Sequence, residues 1–152
     1  MAALGAALYL LSPGRLPNAG RFSLEMLPIF FLAFRRGAPA GIFAGGILGM
    51  IILALDPYVV HPIQFLLDYP LAHMMVGISG FLRKRIWLGI LAGGGGKFLC
   101  HFLAGIFFFA AFAPQGTPVW LYSAIYNGSY ILPQMLIALI LLPMILKRLK
   151  SS

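Results

Sequence analysis

The sequence predicts an all-α membrane protein: a six-transmembrane-helix bundle with its N- and C-termini in the cytoplasm. Three observations predict it. Of 152 residues, 61% are hydrophobic and only 9% charged, with a mean hydropathy of +0.96. Globular chains carry about a quarter charged residues, so the solvent that suits this chain is a bilayer. The apolar residues gather into runs of span length, and the cations cluster between those runs. Residues 1–152 read as one integral membrane domain without an internal repeat.

The elements follow in order, since a span needs roughly 20 mostly apolar residues. The first span is about 1–11. Its MAALGAALYLL start lacks a basic n-region, so no cleavable signal peptide is expected. Ala2 and Ala6, and Ala3 and Ala7, recur at four-residue spacing, which lets another helix backbone come close. They serve either packing within the bundle or docking onto a different membrane protein. The loop SPGRLPNAGR is rich in Pro and Gly and carries Arg15 and Arg21. It reads as a structured lid or a solvated connector. The second span is about 23–35, the third 38–55, the fourth 61–82, the fifth 86–112 and the sixth 118–146. GIFAGGILG in the third span repeats the small-residue pattern of the first. Pro70 lies inside the fourth and predicts a kink.

The basic residues set the orientation. Arg35 and Arg36, then Arg83, Lys84 and Arg85, then Lys147, Arg148 and Lys150 make up eight of the 11 cations. Six spans place all eight on one side, which the positive-inside rule assigns to the cytoplasm. APQGTP, the loop before the sixth span, is uncharged and external. The net charge of +8 therefore signals topology rather than a nucleic-acid surface. Cys100, the one cysteine, behaves as a small apolar residue. GGGGK invites a phosphate-loop reading, but that motif is GxxxxGK followed by Ser or Thr. Leu91 occupies the first glycine position and Phe98 the hydroxyl position. The glycines instead predict a thinned or unwound fifth span, where backbone or ligand comes close.

Ionisable residues at membrane depth default to function, since a charge there costs about 2.5–3.5 kcal/mol on insertion scales. Lys97 and His101 are four apart and share a helix face, which Gly105 and Phe109 continue. A cation, an imidazole, a gap and a ring on one stripe suit a pocket. Asp68 is the expected counter-charge of Lys97. Tyr69 sits on a neighbouring face, and His73 reads as structural. In the sixth span, Tyr122, Tyr126 and Ser129 or Tyr130 mark one face, with Asn127 at its edge. Trp120 fits an interfacial aromatic belt. This set suits a flat, nitrogen-rich, cationic ligand held by rings and a carboxylate. The same groups also suit a proton relay.

HPIQFLLDYPLA, GISG, KFLCHFLAGIFFF and FAPQGTPVWLYSAIYNGSY together resemble the thiamine-specific S component of energy-coupling-factor (ECF) vitamin importers. The resemblance runs from MLPIFFLAFRRG to the basic C-terminal end. It is carried most specifically by HxxAG together with GTPVxxYSxxYN. It implies a six-helix protein of the bacterial cytoplasmic (inner) membrane that binds thiamine from outside and is not an enzyme. It implies no cofactor in this chain, because ATP is used by two partner ATPase subunits that share a transmembrane coupling subunit. The alanine face of Ala2, Ala3, Ala6 and Ala7 would dock that subunit. By position, the family's site falls on Asp68, Tyr69, Lys97, His101, Gly105, Tyr122 and Asn127. Other members carry Glu where Asp68 stands, and some carry Trp where Phe109 stands. Some also place a Trp in the first loop. This chain has no Trp before Trp87, which leaves Phe22 as the loop's ring. The rival reading is a stand-alone proton-coupled carrier that uses Asp68, Lys97 and His101 as its relay. An intramembrane enzyme is weaker, with no nucleophile–base pair in view.

Overall fold

The structure is a computed structural model that describes residues 1–12, 14–16 and 20–149. The Arg15 side chain, Lys150 and the rest of the first loop lie outside the described residues. Helix α1 spans Ala2–Leu10, α2 Met26–Arg36, α3 Ala38–Leu55 and α4 Pro62–Leu82. Helix α5 spans Ile86–Phe108 and α6 Val119–Arg148. Two short antiparallel strands, β1 Gly14–Arg15 and β2 Arg21–Phe22, lie between α1 and α2. They are a departure from the all-α expectation.

Four segments, α3 to α6, are long and apolar enough to cross a bilayer. The expectation of six spans is met only this far. At 9 and 11 residues, α1 and α2 are shorter than a crossing requires. The chain between them is spent on the loop and ribbon. Gly37, at φ +97°, turns α2 into α3 in a single residue, and Pro39 sits in the first turn of α3.

The interior is apolar and so is the rim. Phe30, Leu48, Val76, Ile90, Ile131 and Leu142 are buried in one cluster drawn from α2 to α6. Phe43, Phe107, Ile125 and Ile140 point outward, as helices with lipid on their far side require. Ala6 and Tyr9 of α1 join the core, and Ala2 packs against it. Ala3 and Ala7 are exposed.

Glycines set the distance between α3 and α4. A methyl on Gly41 would lie 2.9 Å from the Gly77 Cα. One on Gly45 would strike the His73 carbonyl, and one on Gly49 the Tyr69 carbonyl. GIFAGGILG is thus a seam within the bundle. Against that seam, α4 changes pitch. Leu67–Leu71 forms a π-turn around Pro70, which has no N–H to give to the ladder. Regular helix resumes at Ala72, and the last turn tightens over Ile78–Leu82.

Of the two alternatives for the glycines of the fifth span, thinning holds and unwinding does not, because α5 is helical without a break through Gly93–Gly96. The glycines thin it instead. Methyls there would lie 2.7 Å from the Val76 carbonyl at Gly93 and 2.6 Å from Met135 at Gly94. Gly95 has open space around it.

These placements separate two substitutions. Gly49→Val should destabilise by at least the ~1–3 kcal/mol typical of overpacking, lowering the melting temperature in detergent. Gly95→Ala should be neutral or stabilising by about 0.5–1 kcal/mol. Equal melting of the two variants would refute the close-approach seam.

Candidate functional site

One cavity lies at the end of the bundle where the α1–α2, α3–α4 and α5–α6 connections emerge. Gly20, Arg21, Asp56, Tyr58 and Phe112 from those connections line it. So do all eight sequence-predicted residues, Asp68, Tyr69, Lys97, His101, Gly105, Phe109, Tyr122 and Asn127. The basic clusters at Arg35–Arg36 and Arg83–Arg85 flank the opposite connections.

Asp68 sits in the π-turn of α4, which aims it across to α5. Its Oδ1 lies 2.8 Å from His101 Nδ1, and its Oδ2 accepts a 2.8 Å hydrogen bond from Gln64 Nε2. Gln64 is fixed in turn, donating to the Tyr58 carbonyl and accepting from Val60 N–H. The carboxylate is therefore oriented from both sides.

Lys97 does not pair with Asp68. Its Nζ lies 2.5 Å from Glu25 Oε1 and 3.2 Å from His73 Nε2. The reason is register. Helices α4 and α5 run antiparallel, so Asp68 stands level with His101, while His73 stands level with Lys97. The four residues from Lys97 to His101 rise about 6 Å, and this places Lys97 deeper. An ammonium only donates, so Nε2 of His73 accepts and Nδ1–H donates to the Tyr69 carbonyl at 2.6 Å. Ser23 donates to the other Glu25 oxygen. Lys97 is 2% exposed and Glu25 4%, so each charge depends on the other.

The α6 wall is aromatic. Tyr122 and Tyr126 stack at 5.9 Å, and Tyr130 meets both Tyr126 and His101 edge-on. Tyr130 continues the predicted face; Ser129 is exposed. On the opposite wall, Phe109 stacks on Tyr58 at 5.8 Å. Asn127 clamps α6 to α5 through its amide, donating to the Ser123 and His101 carbonyls and accepting from Tyr130 O–H. Gly105 admits Ser123, whose hydroxyl would collide with any side chain there. The Tyr69 hydroxyl accepts from Tyr58 N–H at 2.7 Å and so pins the α3–α4 connection. Trp120 faces outward.

The described end of the first loop, Gly20 and Arg21, is bonded to α6 beside this cavity. Gly20 N–H donates to the Tyr126 hydroxyl at 2.8 Å, and Gln134 donates to the Arg21 carbonyl. Arg21 reaches Asp56 at 3.7 Å. Phe22 is half-buried and does not line the cavity. Glu25, Asp56, Arg21, Tyr9, Tyr58 and Gln64 were not foreseen as site residues. Glu25 carried a usable signal, as an acid inside an apolar run. The others become neighbours only through folding of the connections. All three carboxylates of the chain, Glu25, Asp56 and Asp68, line this one cavity.

An aromatic-walled cavity with a few convergent charged groups, enclosed by apolar helices, defines a membrane protein with a small-molecule site. The chain belongs to the thiamine transporter protein family, whose profile matches residues 1–152. It is 35% identical over 144 residues to the thiamine transporter ThiT of Bacillus subtilis strain 168, across 84% of this chain and 75% of that one. The thiamine transporter ThiT of Lacticaseibacillus paracasei ATCC 334 is 34% identical over 131 residues, across 73% of this chain and 65% of its own. The solved structure of ThiT from Listeria monocytogenes superposes with a TM-score of 0.86 at 28% identity, covering 97% and 89% of the two chains. The role is transport rather than catalysis.

Glu25→Gln should cost about 3–5 kcal/mol, because Lys97 is left buried without its counter-charge. The double variant Glu25→Gln/Lys97→Met should recover most of that loss. Thermal unfolding in detergent measures both, and additive losses would disprove the pairing.

Proposed function

We propose that this chain captures thiamine on the outer face of a bacterial cytoplasmic membrane and hands it to an ATP-driven ECF complex. The observation that carries the reading is the charge of the cavity. Three carboxylates face Lys97 and Arg21 there. Counting only the acidic, Lys and Arg side chains among the described lining residues, one negative charge remains, matched to the single positive charge of a thiazolium ring. Asp68 is the carboxylate whose partners are Gln64 and His101 rather than a Lys or Arg. It offsets the thiazolium. Rings of Phe109 and Tyr122 stack on the flat ligand, a geometry that also favours cations. His101 and the amide of Asn127 supply hydrogen bonds, and Lys97 and Tyr69 hold the floor and wall in place. Gly105 keeps that wall thin.

The positive-inside rule supports a cytoplasmic position for both termini and an outward-facing cavity. Delivery then needs a transmembrane coupling subunit and two ATPases, with ATP used by those partners and no cofactor here. Ala3 and Ala7, exposed on α1, would meet the coupling subunit, with Ala2 and Ala6 supporting them from the bundle side. The chain of ionisable groups from Asp68 and His101 to Glu25, Lys97 and His73 favours one other reading, a stand-alone proton-coupled carrier.

Calorimetric titration of the detergent-purified protein tests the capture role. Thiamine should bind tightly. Asp68→Asn and His101→Ala should each weaken binding by about 10–100-fold, the worth of a charged hydrogen bond. No heat with thiamine would end the assignment. In proteoliposomes, the chain alone should not accumulate thiamine, and uptake should appear only with the coupling subunit, both ATPases and ATP. Uptake by the chain alone that collapses with an uncoupler would replace this mechanism with the proton carrier.

A further inference from the structure

Arg21 lines the cavity, yet the capture role gives it no contact with the ligand. Its two terminal nitrogens and its planar face are engaged by the chain itself, while Nε is buried without a hydrogen-bond partner among the described residues. One guanidinium nitrogen lies 3.0 Å from the Ser12 hydroxyl and 3.3 Å from the Tyr9 carbonyl. The other faces Asp56 at 3.7 Å. The guanidinium carbon stands 4.6 Å from the centre of the Tyr9 ring, within cation–π range. The Tyr9 hydroxyl donates to the same Asp56 oxygen at 2.9 Å and so fixes the carboxylate. A ring face, a carboxylate, a carbonyl and a hydroxyl thus converge on one planar cation. That is an acceptor-rich set, suited to an organic cation.

We propose that Tyr9 and Asp56, which line the cavity, form with the neighbouring Ser12 a second cation subsite, kept filled by the chain's own Arg21. Arg21 thereby fixes the ligand charge at one. It neutralises Asp56 as Lys97 neutralises Glu25, leaving Asp68 as the carboxylate open to an incoming cation. The inference rests on the thiamine reading for the identity of the ligand, while the subsite itself rests on the geometry alone.

Two experiments test it, and the first uses no thiamine. Arg21→Ala, melted in detergent, should regain several degrees of stability with low-millimolar guanidinium chloride and none with equal sodium chloride. Arg21→Ala/Asp56→Asn should show no such recovery. The absence of a guanidinium-specific rise overturns the subsite. Arg21→Gln and Arg21→Lys serve the second experiment and provide a fold control if the alanine variant is unstable.

In the second experiment, calorimetry compares thiamine with its analogue whose terminal hydroxyl is replaced by an ammonium, a dication. The wild type should prefer thiamine at least tenfold. Arg21→Gln should shrink that preference tenfold or more, and Arg21→Lys should retain it. Equal weakening of both ligands in Arg21→Gln would make Arg21 a tether only and overturn the charge-setting role. Failure of the wild type to bind thiamine sinks the capture role, and the guanidinium experiment then decides the subsite by itself.

Discussion

The buried pair of Lys97 and Glu25 is the constraint on which the rest of the site depends. A charge at this depth is tolerated only with its partner in place. The 2.5 Å contact therefore fixes the middle of α5 against the residue that opens α2. His73 is drawn into the same cluster, and its second nitrogen holds the Tyr69 carbonyl. Three helices are thus tied at one level. Everything nearer the cavity mouth is built on that floor: the π-turn, Asp68, and the end of the first loop that runs into Glu25.

Charge pairing alone would not bring these groups into range. The helices must first approach closely, and the glycines allow it. Gly45 and Gly49 face the carbonyls of His73 and Tyr69, the residues whose side chains serve the polar cluster and the α3–α4 connection. Packing and polar geometry are therefore one arrangement. Pro70 adds the remaining adjustment. It widens the turn of α4 and carries Asp68 to the level of His101, one turn of α5 above Lys97. The spacing of ionisable residues along α4 and α5 has a function only because the two helices are antiparallel and this close.

Much of this was legible in the residues and some was not. Helix positions followed from apolar runs and basic punctuation, and the limits of α3 to α6 differ from expectation by a few residues. The stripe of Lys97, His101, Gly105 and Phe109 follows helical period, so its convergence on one cavity could be read directly. The partner of Lys97 could not. Choosing between Asp68 and Glu25 needs the vertical register of α4 against α5, which no single-helix pattern encodes. The first loop was ambiguous for a similar reason. Its Pro and Gly content fits a connector, and only folding brings its described end to α6, through the bonds of Gly20 to Tyr126 and of Gln134 to Arg21. GGGG signalled close approach but left open whether the helix thins or unwinds; it thins, because a helix with packing on two sides has no reason to unwind.

The distribution of charge joins fold to function. A chain with a net charge of +8 has gathered all three of its carboxylates at one cavity. Its Arg–Arg and Arg–Lys–Arg clusters sit at the opposite connections. Two of the carboxylates are matched by cations supplied from α5 and from the first loop. Those pairs act as structure, one as the floor and one near the mouth. The third, Asp68, is oriented by an amide and an imidazole rather than by a Lys or Arg. A site meant only to be stable would have closed this last account with another lysine. In the capture role proposed above, leaving it open would cost stability when the cavity is empty and return it when a cation enters, which is how a binding protein differs from a well-packed bundle.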